Sequence, residues 1–349
     1  MSHKKGAPQN EQTCHGRTPR SAAVARFTLR RNSGPGTAAG YGDCNQTETQ
    51  LLKTIVFITL EVKLPDKDGK PGERAKLSGT GFWVSVPDSR LEAGKAFSYL
   101  VTNRHVAMAL ERDEKGKCNP LQIQKASLTV NLKDPVNGNR LHTEALPLSP
   151  KVHWYLPKDE AIDLAVLPFG VPDKVDARYI SLEQFLSSDI LDKKMVVPGD
   201  KVLTGGFFTG YTGLHEMQPI LREGVLAMLP DGPMTTTLCG SGSVYLADVH
   251  VIPGNSGSPI FIIPALGLGG GVVLGGVPST FGLLGVVSGY MYEHEDMTLT
   301  ATTTWKGSIN ANSGISVVVP AQQLKDLLES PELKQLRDAQ FSPQLKNQP

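Results

Sequence analysis

Two successive series of short β-type segments, about six in each, constrain what this chain can fold into more than any other feature. The first series covers residues 51–64, 77–86, 97–102, 126–132, 141–148 and 163–167. The second covers 201–207, 220–229, 243–250, 259–263, 284–288 and 315–319. Thr54, Ile55, Val56, Ile58, Thr59 and Val62 crowd the opening segment, and β-branched side chains fit a pleated, half-buried surface. The 36 glycines, the 25 prolines and an aromatic content of only 6% suit short strands joined by turns. A doubly wound α/β sheet needs helices of about 10–15 residues between its strands, and no such pattern occurs. No fixed-period repeat suggests a solenoid or a propeller. The expectation is an all-β fold of two six-stranded antiparallel β-barrels. A short C-terminal helix should follow Pro320, with Leu324, Leu327 and Leu328 on one face.

The same pattern divides the chain. Residues 1–48 are polar and aperiodic and read as a disordered or loosely attached tail. Residues 49–170 form the first lobe, 171–199 a connector, 200–330 the second lobe with its terminal helix, and 331–349 a fraying C-terminal tail. A formal charge of +1 gives no basic field for nucleic acid. The arginines at 17, 20, 26, 30 and 31 read as a solvated tail. Residues 1–25 lack an apolar signal core, and no run of about 18 apolar residues occurs. A cytoplasmic protein with no membrane partner is therefore expected.

Four cysteines, at 14, 44, 118 and 239, lie far apart without metal-ligand spacing. They read as free thiols in a reducing compartment, with a Cys118–Cys239 bridge as the alternative. Glu293-His294-Glu295-Asp296 reads as a solvated turn rather than a metal site. No His-Glu-x-x-His occurs, so no metal or other cofactor is expected. Residues 265–280 read equally as a flap over a cleft or as a hairpin tip.

The chemistry centres on Val251-Ile252-Pro253-Gly254-Asn255-Ser256-Gly257-Ser258-Pro259-Ile260-Phe261. A tight Gly-x-Ser-Gly turn lets backbone N–H groups converge beside a hydroxyl, as acyl transfer requires. Ser256 is the candidate nucleophile, but a serine hydroxyl needs a base within reach. His105, in Thr102-Asn103-Arg104-His105-Val106, can serve, since an unperturbed imidazole titrates near 6.5. Asp163, opening Asp163-Leu164-Ala165-Val166-Leu167, can hold the other ring nitrogen. The N–H groups of Gly254 and Ser256, with Asn255 between them, make the candidate oxyanion hole. Taken singly, these are a turn, a structural histidine and a strand-capping aspartate. Together, each at a strand edge and in the order His, Asp, Ser, they read as a catalytic triad.

These three motifs resemble those of the trypsin-like serine peptidases of the chymotrypsin fold, over residues 51–330. The flavour is that of the bacterial HtrA-like and glutamyl-endopeptidase branches. The resemblance implies two barrels with an active site in the cleft between them, and a peptide or protein substrate. Asn255 stands where digestive members carry an Asp, which puts activation by a freed N-terminus in doubt. No cysteine neighbours His105, and the residues after 330 are too few for a peptide-binding domain. By resemblance, Ser288, Gly289 and Tyr290 should pair with substrate backbone. His250 would stand where a pocket residue could favour acidic side chains, or would be a histidine with no selective role.

An esterase of the α/β-hydrolase type needs Gly-x-Ser-x-Gly and the order Ser, Asp, His. Ser258 and the position of His105 break both conditions. The expected activity is a serine endopeptidase working through an acyl-enzyme. The alternative is an inactive trypsin-like binding module.

Overall fold

Alternation of apolar and polar residues builds the first sheet. β1 (Ile55–Lys63) buries Val56, Ile58, Leu60 and Val62 on one face, the period of a strand lying on a core. The computed structural model describes residues 51–66, 72–113, 117–135, 141–186, 196–235, 240–263, 282–300 and 304–341. After β1 come β2 (Arg74–Pro87), β3 (Ala96–Thr102), the one-turn helix α1 (Arg104–Ala107), and the small hairpin β4 (Leu110–Arg112) and β5 (Cys118–Pro120). β6 (Gln122–Asn131), β7 (Thr143–Leu148), β8 (Ala165–Pro168) and β9 (Ile180–Ser181) complete the first lobe. Its sheet runs β7-β6-β1-β2-β3-β8, with β9 against β2.

The first lobe was expected as a hydrogen-bonded barrel, but among the described residues no ladder joins β7 to β8. β8 is four residues long and ends in Pro168, and β7 contains Pro147; a proline offers no N–H to a ladder. Side chains make the junction instead, with Leu146, Leu148 and Leu167 in one core cluster around Trp83 and Leu100.

The second lobe contains β10 (Lys201–Gly206), β11 (Ile220–Met228), the pair β12 (Met234–Thr235) and β13 (Ser241–Gly242), and β14 (Tyr245–Asp248). β15 (Pro259–Ile263), β16 (Gly282–Thr300) and β17 (Thr304–Pro320) follow. β10-β11-β14-β17-β16-β15 form a closed barrel. All twelve expected strand segments are present in the all-β fold. β16 and β17 extend far past the expected 284–288 and 315–319. The run 293–296, expected as a turn, lies inside that ribbon, paired with residues 308–311 and exposed. Its charges mask the strand because its residues face solvent rather than a core. The 265–280 segment lies outside the described residues.

α2 (Ala321–Leu328) buries Ala321, Leu324, Leu327 and Leu328, the face expected from spacing. The chain does not fray after Ser330. Ser330 caps a second helix, α3 (Pro331–Ala339), whose Leu333 and Arg337 are buried. Proline at the first helical position and an acidic first turn favour that start. A third core joins the lobes: Phe82, Tyr99 and Val101 from the first meet Phe261, Leu283 and Val286 from the second, with Leu324 and Leu333 from the helices.

Cys118 is disulfide-bonded, which overturns the free-thiol reading for that residue. Its partner lies outside the described residues, as Cys14, Cys44 and Cys239 all do. Sequence separation says nothing about distance in the fold, so scatter was a poor guide.

Candidate active site

Strand pairing brings His105 to Asp163. α1 follows β3 directly, Asp163 lies just before β8, and β3 pairs with β8 with Thr102 opposite Ala165. Two side chains 58 positions apart thereby meet at one sheet end. His105 Nδ1 lies 2.8 Å from Asp163 Oδ2, and the His105 backbone N–H donates to Asp163 Oδ1 at 3.0 Å. The carboxylate thus selects the tautomer with the proton on Nδ1. Asn103 Nδ2 donates to the Asp163 carbonyl at 2.9 Å, fixing the backbone on which the carboxylate sits. Burial by itself pushes the Asp163 carboxyl up. The His105 imidazole and hydrogen bonds from His105 and the Ser288 hydroxyl outweigh it and hold the carboxyl below the ordinary range.

The Ser256 turn joins β14 to β15. Gly254 has φ +100° and Gly257 φ +89°, a region that L side chains rarely adopt. At 257 a Cβ would also stand 1.9 Å from the Thr80 carbonyl oxygen. Two hydrogen bonds stitch the turn to β2 of the other lobe, and a third ties that point of β2 to β3. Thr80 N–H donates to Ser256 O at 2.8 Å and Thr80 Oγ1 donates to Gly254 O at 2.6 Å. Thr102 Oγ1 in turn donates to Thr80 O at 2.7 Å. Thr80, Thr102 and Asn103 are fully buried.

Among the described residues, the N–H groups of Gly254 and Ser256 have no acceptor. Asn255, also predicted for the oxyanion hole, is a correction. Its N–H is taken by Ile252 O at 3.0 Å. Its side chain accepts from Ile252 N–H at 3.0 Å and donates to Phe207 O at 2.8 Å. It is buried and braces the turn, because an amide can close both bonds without a partner charge.

Ser288, expected to pair with substrate backbone, bonds to two members of the predicted triad. Its hydroxyl donates to Asp163 Oδ2, and its carbonyl accepts from Ser256 Oγ at 3.2 Å. Among the described residues, His105 Nε2 has no hydrogen-bond partner. Four residues from two lobes therefore form one cluster through Ser288.

No protein-family profile matches the chain, and no curated protein matches its sequence. Among solved structures, an HtrA-type protease, AlgW with a decapeptide, is similar at 13% identity with a TM-score of 0.43. That alignment covers 82% of this chain and 66% of that chain. Deg5 is similar at 16% identity with a TM-score of 0.41, over 80% of this chain and 90% of that chain.

The other predicted binding residues separate. Gly289 and Tyr290 continue β16 from Ser288, opposite Val317 and Ser316 of β17. β15 leaves β16 at the Pro259–Val286 pair. Beyond it, the other edge of β16 carries no ladder at Ser288 and Gly289 among the described residues. Burial pushes the Tyr290 phenol up, with Tyr292 adding to the effect. His250 is exposed and makes no hydrogen bond or ion pair among the described residues, so nothing in the fold joins it to the cluster. Among the described residues no group of His, Cys, Asp and Glu could hold a metal ion.

Sequence reasoning missed the bracing roles of Thr80 and Asn103. Asn103 was adjacent to the histidine and could have been suspected. Thr80 is 174 positions from its partner Gly254, and no local pattern signals such a bond.

Proposed function

We propose that this chain is a serine endopeptidase that cleaves peptide bonds through an acyl-enzyme. One observation carries the reading. Ser288 ties the Asp163–His105 pair of one lobe to the Ser256 hydroxyl of the other, beside two unengaged N–H groups. A structural turn has no need of that convergence.

The chemistry follows from the atoms. Ser256 Oγ leaves the Ser288 carbonyl by rotation about χ1 and turns to His105 Nε2. It attacks the scissile carbonyl as Nε2 takes its proton. Asp163 stabilises the imidazolium through Nδ1 without itself taking a proton. The carbonyl oxygen, now negative, accepts from the N–H groups of Gly254 and Ser256. Each such donor contributes about 3 kcal/mol to the transition state. His105 then returns the proton to the leaving amine, and water repeats the sequence on the ester. The open edge of β16 at Ser288 and Gly289 favours an extended polypeptide, which can add there as a strand.

A fluorophosphonate probe tests this on the whole chain. It should modify Ser256, and labelling should vanish in His105→Ala and Ser256→Ala. A chain left unmodified after long exposure would instead be a binding module with its triad in a resting arrangement.

A further inference from the structure

Three large apolar side chains stand in solvent on one loop beside the Ser256 turn. Phe208 is 43% exposed, Tyr211 58% and Leu214 73%. Three such side chains within seven residues of one loop put apolar surface next to a polar site, where an apolar partner can cover it.

The loop is anchored at both ends and does not hang free. At its start, Phe207 O accepts from Asn255 Nδ2 at 2.8 Å. A Cβ on Gly254 would lie 2.5 Å from the Thr209 methyl, so the loop touches the glycine that carries a candidate oxyanion donor. Near its end, Asn131 bonds Met217 twice, at 2.8 and 2.9 Å, and His142 N–H donates to His215 O at 2.8 Å. Within it, Tyr211 N–H donates to Phe208 O at 3.0 Å.

Topology says which side of the serine they occupy. β15, the strand leading out of the Ser256 turn, has β16 on one side and β10 on the other. The loop continues from the end of β10. In the β10–β15 register Thr204 faces Ile260, and continuing that antiparallel count puts Phe208 level with Ser256. A substrate whose acyl half lies along β16 must therefore leave the serine across Gly254, over this loop.

We infer that Phe208, Tyr211 and Leu214 form an apolar shelf for the leaving-group half of the substrate. The enzyme then prefers polypeptides with large hydrophobic residues in the first few positions after the scissile bond. This deepens the endopeptidase reading and rests on it. The occupant follows from continuity: the loop that carries the shelf meets Gly254 through Thr209.

The experiment uses quenched fluorescent peptides that share one acyl half and differ after the cleaved bond, carrying Leu and Phe or Ser and Asp there. A small activated ester with the same acyl half serves as control. The wild-type chain should favour the apolar series by about tenfold or more in kcat/KM, the scale of filling one hydrophobic pocket. The Phe208→Ser/Tyr211→Ser/Leu214→Ser variant should lose that preference, mainly through KM, with ester hydrolysis unchanged. Single Leu214→Ser, the most exposed change, guards against misfolding of the triple variant and should lose part of the preference. Wild-type hydrolysis without discrimination between the series would overturn the shelf while leaving the endopeptidase reading intact. An oligomer that falls apart in the triple variant would also overturn it, by showing that a second copy covers the patch. Failure of Ser256 to react with the fluorophosphonate would instead strike the underlying reading.

Discussion

Asp163 is the residue on which most of the site's geometry converges. It receives bonds from the His105 ring, the His105 amide and the Ser288 hydroxyl. Asp163→Asn preserves shape but presents an N–H where His105 needs an acceptor. Turnover should fall by roughly 10⁴-fold with the fold intact, as steady-state kinetics and circular dichroism would register; wild-type turnover would refute the assignment. The lowered Asp163 pKa also has a stability consequence. Because the folded carboxyl binds its proton more weakly than the unfolded one, stability rises with pH through this window. The contribution is present in full above the ordinary carboxylate value, near 3.9, and is lost as pH falls through the lower folded value. Urea titrations of wild type and Asp163→Asn from pH 7 to 3 should differ by a constant amount down to about pH 4, and converge only below it. Convergence already at pH 6 would contradict the pairing.

Among the elements, β2 reaches furthest. Its Thr80 belongs to the first lobe yet bonds the Ser256 turn of the second through its backbone N–H and its hydroxyl. Thr80→Val keeps the volume and removes the hydroxyl, leaving the buried Gly254 carbonyl without its donor. An unsatisfied buried group costs about 1–3 kcal/mol, so chemical denaturation should shift by that amount. Because the lost bond holds the peptide that lies between those of the two candidate oxyanion donors, kcat should fall more than KM rises. An unchanged kcat would mean that the turn holds its shape without β2. The β16–β17 ribbon shows the opposite case, since its outer half has exposed charged residues and, among the described residues, no hydrogen bond to the first lobe.

At the scale of the molecule, the two lobes are not independent bodies. Their shared core draws on β2, β3 and β8 from one side, on β15, β16 and β17 from the other, and on both terminal helices. α3 is a clasp: Leu333 is fully buried, and Arg337 donates to Tyr99 Oη of β3 at 2.8 Å and to the Leu328 carbonyl at 2.9 Å. Arg90 bridges Asp88 and Asp338 and lies 4.3 Å above the Phe341 ring. Arg90 holds the Asp88 carboxyl down to about 2, yet exposed ion pairs contribute little to stability. The buried leucine should dominate. Leu333→Ala should cost about 2–5 kcal/mol, and calorimetry should show one cooperative transition at lower temperature. Two separated transitions would show that the lobes unfold independently.

The sequence by itself determined the strands and the face of α2 and singled out His105, Asp163 and Ser256 as candidates, because strand period, helix spacing and the Gly-x-Ser-Gly turn are local signals. It misread α3 as a tail, because its few apolar residues disclose a buried face only when a lobe lies beneath them. It left Cys118 open, since a disulfide depends on distance and not on spacing. Only the tertiary structure decided that Asn255 braces the turn, that Ser288 serves the aspartate, and that Thr80 crosses between lobes. Those bonds join residues 32 to 174 positions apart. Hydrogen bonds of that reach exist only once the second barrel has closed or the two lobes have packed, so no window along the chain can contain them.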